Sequence, residues 1–434
     1  MKSRMHRYRV ATVIAAMLWL AGCNATFDVA VPPANEALYA RLYPYFAELC
    51  AVSQIKKKPG FGADTSGGPG GHSVLYLNGV CRERDADYPT IGLCAPDTPA
   101  AEQGVGLSVN AHFKNANWVA TDGRDFFFRG DLPPNARLTR AAYARTQDEA
   151  KAKGLYDGIV FHSVVFDDMP PGTDRRDYMY EVSIGTDYAI AFARDRYCAR
   201  VPMSRAQMGK VVAYLNGVNA PYKDGKKDFE WNVLENNCTH LVHNALAAAG
   251  LWRDWETERF FLISAFDFPV PKNEFVNTMW RLNNMDLTNI DALYRDPTAR
   301  RALMEDGALP EEPGGLAAAA RAIADNDIYD TDVKLIFYDD PVFGSYQRRF
   351  DAIFAQPRYT DIEANLRYFA ALYRRIEAER RPLAEALASG HDTDGAAFSA
   401  FYRRFYAYID RETAEVDARL AALARPPRIA GAMP

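Results

Sequence analysis

Asn236-Asn237-Cys238-Thr239-His240-Leu241-Val242-His243-Asn244-Ala245-Leu246-Ala247-Ala248-Ala249-Gly250 lies just past the middle of this 434-residue chain. Leucine and alanine make it a strong helix former, and Gly250 is a natural stop. Two asparagines precede the cysteine and can cap the first turn. Cys238 is therefore expected at the positive end of a helix dipole, which favours the thiolate, the nucleophilic form of cysteine. At about 100° per residue Cys238 shares a face with Leu241, Val242, Ala245 and Ala249. That face is apolar, so the thiol is expected to point into the fold. His240 lies roughly opposite and His243 is off the face, so a proton partner should come from elsewhere.

A cysteine nucleophile needs a base, and the base usually needs an orienting group. His72 is the best base candidate. It opens the strand His72-Ser73-Val74-Leu75-Tyr76-Leu77-Asn78-Gly79 and shares a face with Val74 and Tyr76. Further on, Leu107, Val109, Ala111 and Phe113 alternate with Ser108, Asn110 and His112, which predicts a strand over 104–113. His112 is the first choice to orient His72, with Asn110 and His162 as rivals. The glycine-rich run 60–71 lacks the Gly-Lys-Ser/Thr ending of a phosphate cradle and precedes a strand, so it reads as a loop, perhaps a lid. Cys238, His240 and His243 make a poor zinc site, because Cys238 faces away from the two histidines. No metal or other cofactor is expected.

Lys2, Arg4, Arg7 and Arg9 precede an apolar stretch, Val10 to Leu20, that is short for a membrane span. It ends in Leu20-Ala21-Gly22-Cys23, which resembles a bacterial lipoprotein box. That resemblance implies cleavage after residue 22, a lipid on Cys23, and a periplasmic protein anchored to the outer membrane. Loss of residues 1–22 takes the formal charge from −5 to −9, which argues against nucleic acid as a partner. An oxidising compartment suits the remaining cysteines. With Cys23 and Cys238 set aside, Cys50, Cys81, Cys94 and Cys198 allow three pairings. Cys81–Cys94 is favoured by the short, turn-rich loop between them, which leaves Cys50–Cys198.

The pattern along the chain predicts an α+β fold. Residues 23–34 read as a tether and 35–55 as a helix. Strands are expected at 118–121 and 126–129 as a hairpin, then at 158–166 and 178–184, with helices at 141–153 and 205–215. The domain boundary falls near 265. Residues 266–434 read as mainly helical, with a linker at 305–316. Ile362, Leu366, Phe369, Tyr373 and Ile376, and later Phe398, Phe401, Phe405 and Ile409, recur at helical spacing and predict an antiparallel pair.

Gly71-His72-Ser73-Val74-Leu75-Tyr76-Leu77, followed much later by Asn237-Cys238-Thr239-His240, resembles the circularly permuted papain-like, or permuted NlpC/P60, superfamily. That group includes lecithin:retinol acyltransferase-like proteins and bacterial lipoproteins. The resemblance covers residues 35–255, and its specificity lies in the order of the two motifs. It implies an antiparallel sheet packed on the nucleophile helix, with residues 35–265 as the catalytic domain. It implies a cysteine-dependent amidase, peptidase or acyl hydrolase working through a thioester on Cys238, or an acyltransferase, on peptide or acyl substrates. The alternative is an inactive papain-like adaptor whose C-terminal helices dock a protein partner. The insertion carrying Cys81 and Cys94, and the helical C-terminal half, depart from the minimal family pattern.

Overall fold

The computed structural model describes residues 24–25, 36–61, 71–83, 88–99, 102–232, 236–255, 270–333, 335–336, 346–389 and 395–424. The expected lipidation site Cys23, most of the tether and most of the glycine-rich run lie outside them. Among the described residues no helix is long and apolar enough to cross a membrane.

The fold is α+β, built on one antiparallel sheet of six strands. Its strands are β1 (Phe46–Val52), β2 (His72–Asn78), β3 (Val105–Ser108), β4 (Val119–Asp122), β5 (Arg196–Pro202) and β6 (Leu316–Ala320), in the order β4-β3-β2-β1-β5-β6. β1 is central, buried along its whole length, and pairs with β2 on one side and β5 on the other. That explains why 35–55 misleads as a helix. A strand covered on both faces is apolar at every position and loses its period-two signature. Only α1 (Glu36–Leu42) is helical there, and Pro44 follows it.

Alternate residues of these strands feed two different cores. Ala47, Leu49, Ala51, Leu75 and Leu77 face the apolar side of the nucleophile helix, packing with Val242, Ala245 and Leu246. Phe46, Cys50, Val52, Val74 and Tyr76 face the other way, against Tyr39, Phe127 and Phe128. On that second face Gly106 is essential, because a Cβ there would meet the Phe127 ring at 2.0 Å. Cys50 stands directly opposite Cys198 in the β1–β5 register and is bonded to it. Cys81 is bonded to Cys94. Both favoured pairings are thus formed.

Several local expectations are corrected. Residues 124–129 form helix α2 (Arg124–Arg129) rather than the return strand of a hairpin. The stretch expected as a strand over 178–184 is mostly helix Arg175–Ser183, whose cap Asp174 accepts the backbone N–H groups of Arg176 and Asp177. Residues 158–166 supply a single bridge, Phe161 to Phe113, and a 3-10 turn. Helix α3 (Arg205–Lys223) runs past its expected end, with Ser204 and Gln207 forming a capping box. The C-terminal region is not purely helical, since β6 joins the sheet next to β5. The expected amphipathic pair is present as Ile362–Ala378 and Gly395–Leu423, around a second core of Leu366, Phe369, Tyr373, Phe401, Phe405 and Ile409. Arg374–Asp417 and Tyr402–Arg381 contacts run it antiparallel.

Candidate functional site

Helix α4 (Cys238–Ala248) begins at the cysteine. The Asn237 side chain accepts the N–H groups of Thr239 at 2.8 Å and His240 at 3.2 Å, which settles two of the orphan donors of the first turn. The His240 imidazole completes the capping box by reaching back to the Asn237 N–H. His240 is therefore a structural cap. His243 bonds the Glu274 carboxylate at 2.8 Å and the Arg253 carbonyl at 2.9 Å, between the rings of Trp252 and Trp255. Neither histidine approaches the thiol as a hydrogen-bond partner.

Cys238 is the one free cysteine among the described residues, and it is buried. Its Sγ accepts the backbone N–H of Ser73 at 3.3 Å, so the start of α4 is seated on the first rungs of β2. Ser73 Oγ and Thr239 Oγ1 hydrogen-bond at 3.0 Å beside it. Burial pushes the thiol above its ordinary value, and the N–H and hydroxyl contacts pull the other way without prevailing. The expectation of a resting thiolate gives way here. Removing a thiolate from water outweighs a helix-end effect of about 0.3–1 kcal/mol.

His72 is the next residue along β2, and consecutive strand residues point to opposite faces. Ser73 takes the α4 side, so the His72 imidazole goes to the other. There its Nε2 lies 3.0 Å from Ser108 Oγ. Ser108 pairs with Val74 in the β2–β3 register, on that same second face. Among the described residues no hydrogen bond joins the imidazole to Sγ. The backbones of the two expected partners are neighbours, while their side chains diverge. Burial pushes the imidazole down to about 3, helped by the cation of Arg194, so it is neutral at any ordinary pH.

The orienting role expected of His112 falls to Ser108. Behind it stands Asp187, fully buried, accepting from Tyr156 Oη at 2.9 Å, from Asn110 Nδ2 at 3.3 Å and from the Ser108 hydroxyl. With its own proton given to Asp187, Ser108 Oγ accepts from His72, which puts the imidazole proton on Nε2 and leaves Nδ1 as the basic nitrogen. Asn110 thus belongs to this network one shell further out than expected. His112 does not join it. Its ring lies against Phe161, its buried Nδ1 has no partner, and burial with the neighbouring His162 pushes it down to about 4. His162 Nε2 is spent on the Phe229 carbonyl at 2.9 Å.

Sequence reasoning missed Ser108, Asp187 and Arg194. Arg194 is buried and gives its guanidinium to the carbonyls of Ser53 and Gly185 and to Thr186 Oγ1. It is the cation whose field reaches both His72 and Cys238. Nothing in its local sequence marks it. Asp187 had a weak signal, as a carboxylate in the turn Gly185-Thr186-Asp187 between apolar segments.

Burial raises Asp187 to about 6. Between pH 4 and 6 the unfolded chain releases this proton while the folded protein keeps it, so folding stability falls as pH rises through that window, by about 3 kcal/mol in all. Urea titrations across it should show the decline in the wild type and its loss in Asp187→Asn. A parallel decline in both proteins would remove Asp187 from this role.

No family model, curated protein or solved structure matches this chain.

Proposed function

We propose that Cys238 is the nucleophile of a thiol-dependent amidase or acyl hydrolase, in a circularly permuted papain-like domain held at the outer membrane by a lipid on Cys23. One observation carries the reading: the only free thiol among the described residues opens a helix and rests on the backbone N–H next to His72. In the reaction His72 Nδ1 takes the thiol proton. Sγ then adds to the acyl carbonyl, and backbone N–H groups at the helix start stabilise the oxyanion. The imidazolium gives its proton to the leaving amine or alcohol. Water, deprotonated by His72, cleaves the thioester, releases the acid and restores the thiol. The described geometry is the disengaged state, with the imidazole on Ser108. Turnover requires His72 to leave Ser108 and turn to the α4 side. His72 is the first residue of its strand and follows Gly71, whose φ is +76°, so that turn involves a strand end and not its middle.

A second reading has its own support. The low basicity of His72 and its bond to Ser108 suit an inactive module that keeps the fold without the chemistry. Alkylation of Cys238 by iodoacetamide separates the two. For the enzyme, labelling falls in His72→Ala and rises in Ser108→Ala, which frees the imidazole. Equal labelling in all three proteins, or none in any, decides for the inactive module. The mass of the mature N-terminus tests the lipid, which is lost in Cys23→Ala.

A further inference from the structure

The second face of the sheet carries a cluster of charges that the thiol chemistry does not use. Arg196 and Arg200 project from β5, Glu48 from β1, Arg124 from α2 and Glu36 from α1. Arg124 pairs with Glu48 and, at 3.3 Å, with Glu36. Arg200 pairs with Glu36 at 2.5 Å and approaches Glu48 at 3.6 Å. Two carboxylates therefore answer two guanidiniums, and nearby Arg129 is answered by Asp125 at 3.1 Å. Arg196 is left over. Its Cζ lies 4.8 Å from the Phe128 ring centroid, and Arg124 Cζ lies at the same distance from the same ring. Among the described residues no carboxylate or carbonyl hydrogen-bonds it.

This arrangement is expensive as it stands. A largely desolvated cation normally has a counter-charge, and one beside a second cation costs more. Burial and the repulsion from Arg124 lower Arg196 only to about 10, so the charge persists at neutral pH. The residue is half-buried, not sealed, so solute can reach it. A guanidinium offers paired N–H donors that match the oxygens of a carboxylate or phosphate group. We infer that Arg196, with Arg124 beside it over the Phe128 ring, forms a binding site for an oxyanion, on the face of the sheet opposite the Cys238 thiol. The site is independent of the catalytic proposal, because it uses none of its residues.

The test is thermal unfolding of the full chain in chloride, in inorganic phosphate and in acetate at matched ionic strength. The wild type is expected to gain several degrees in phosphate or acetate over chloride, and whichever anion gives the gain identifies the preferred group. Arg196→Met keeps the stem over Phe128 and removes the charge. It is expected to melt at or above the wild type in chloride and to show no gain with either anion. Calorimetric titration of the wild type with phosphate and acetate reads the same binding directly, whatever the variant's yield. No heat and no gain with either anion, or an equal gain in Arg196→Met, would overturn the site.

Discussion

Replacing Cys238 with alanine is expected to leave a folded protein with no turnover of an activated acyl ester or amide, a loss of about a thousandfold or more. Sγ is the only atom deleted, and its one backbone contact is with the Ser73 N–H. The two disulfides and both cores are untouched. His72→Ala should lower turnover by about 10²–10⁴-fold, the usual range for a general base. Wild-type turnover in either variant would end the assignment. The pH dependence adds a separate check. Burial raises the thiol, so alkylation of Cys238 should keep climbing above pH 8.5, about the value of a free cysteine. His72 stays neutral down to about pH 3, so its titration should not appear near neutrality. A rate that levels off at pH 6 would mean that thiol and imidazole rest as an ion pair, with the imidazole on the α4 side and not on Ser108.

That divergence of His72 and Cys238 marks the limit of what the sequence reveals about this site. The pattern in 72–79 correctly groups His72 with Val74 and Tyr76. It holds no information about which face of the finished sheet receives α4, since Ser73, Leu75 and Leu77 are as compatible with packing as the alternate set. The start of α4 is legible because capping is local chemistry: Asn237 and a helix former suffice. The central strands β1 and β5 are illegible for the opposite reason. Their residues are apolar, or charged and internally paired like Glu48 and Arg200, so neither a helical nor an alternating pattern survives. Arg175–Ser183 was open to a better reading, because Asp174 is a good cap and the tyrosines that suggest a strand also pack at helical spacing. The Ser108–Asp187 network joins residues 79 positions apart and is set by tertiary contact alone.

The Cys50–Cys198 bond should dominate stability. It spans 148 residues and ties the central strand to its neighbour, at positions that face each other in the register. In the chain-entropy account such a closure restricts the unfolded chain by about 5 kcal/mol, against about 3 kcal/mol for Cys81–Cys94 with its separation of 13. A typical domain has only about 5–15 kcal/mol to lose. The double variant Cys50→Ala with Cys198→Ala is therefore expected to be marginal or unfolded at 37 °C, while Cys81→Ala with Cys94→Ala remains folded with a lower urea midpoint. Both Cys50 and Cys198 are buried in the sheet, so reductant should open Cys81–Cys94 first in the native protein, as mass mapping after timed alkylation would show. The reverse order of reduction, or a Cys50/Cys198 variant as stable as the wild type, would mean that packing across β1 and β5 holds the sheet without the covalent tie. The ranking has a consequence for the thiol as well. α4 packs against the face formed by Leu49, Ala51 and Leu75, so loosening β1 should expose Cys238 and speed its alkylation in the double variant, without any gain in turnover.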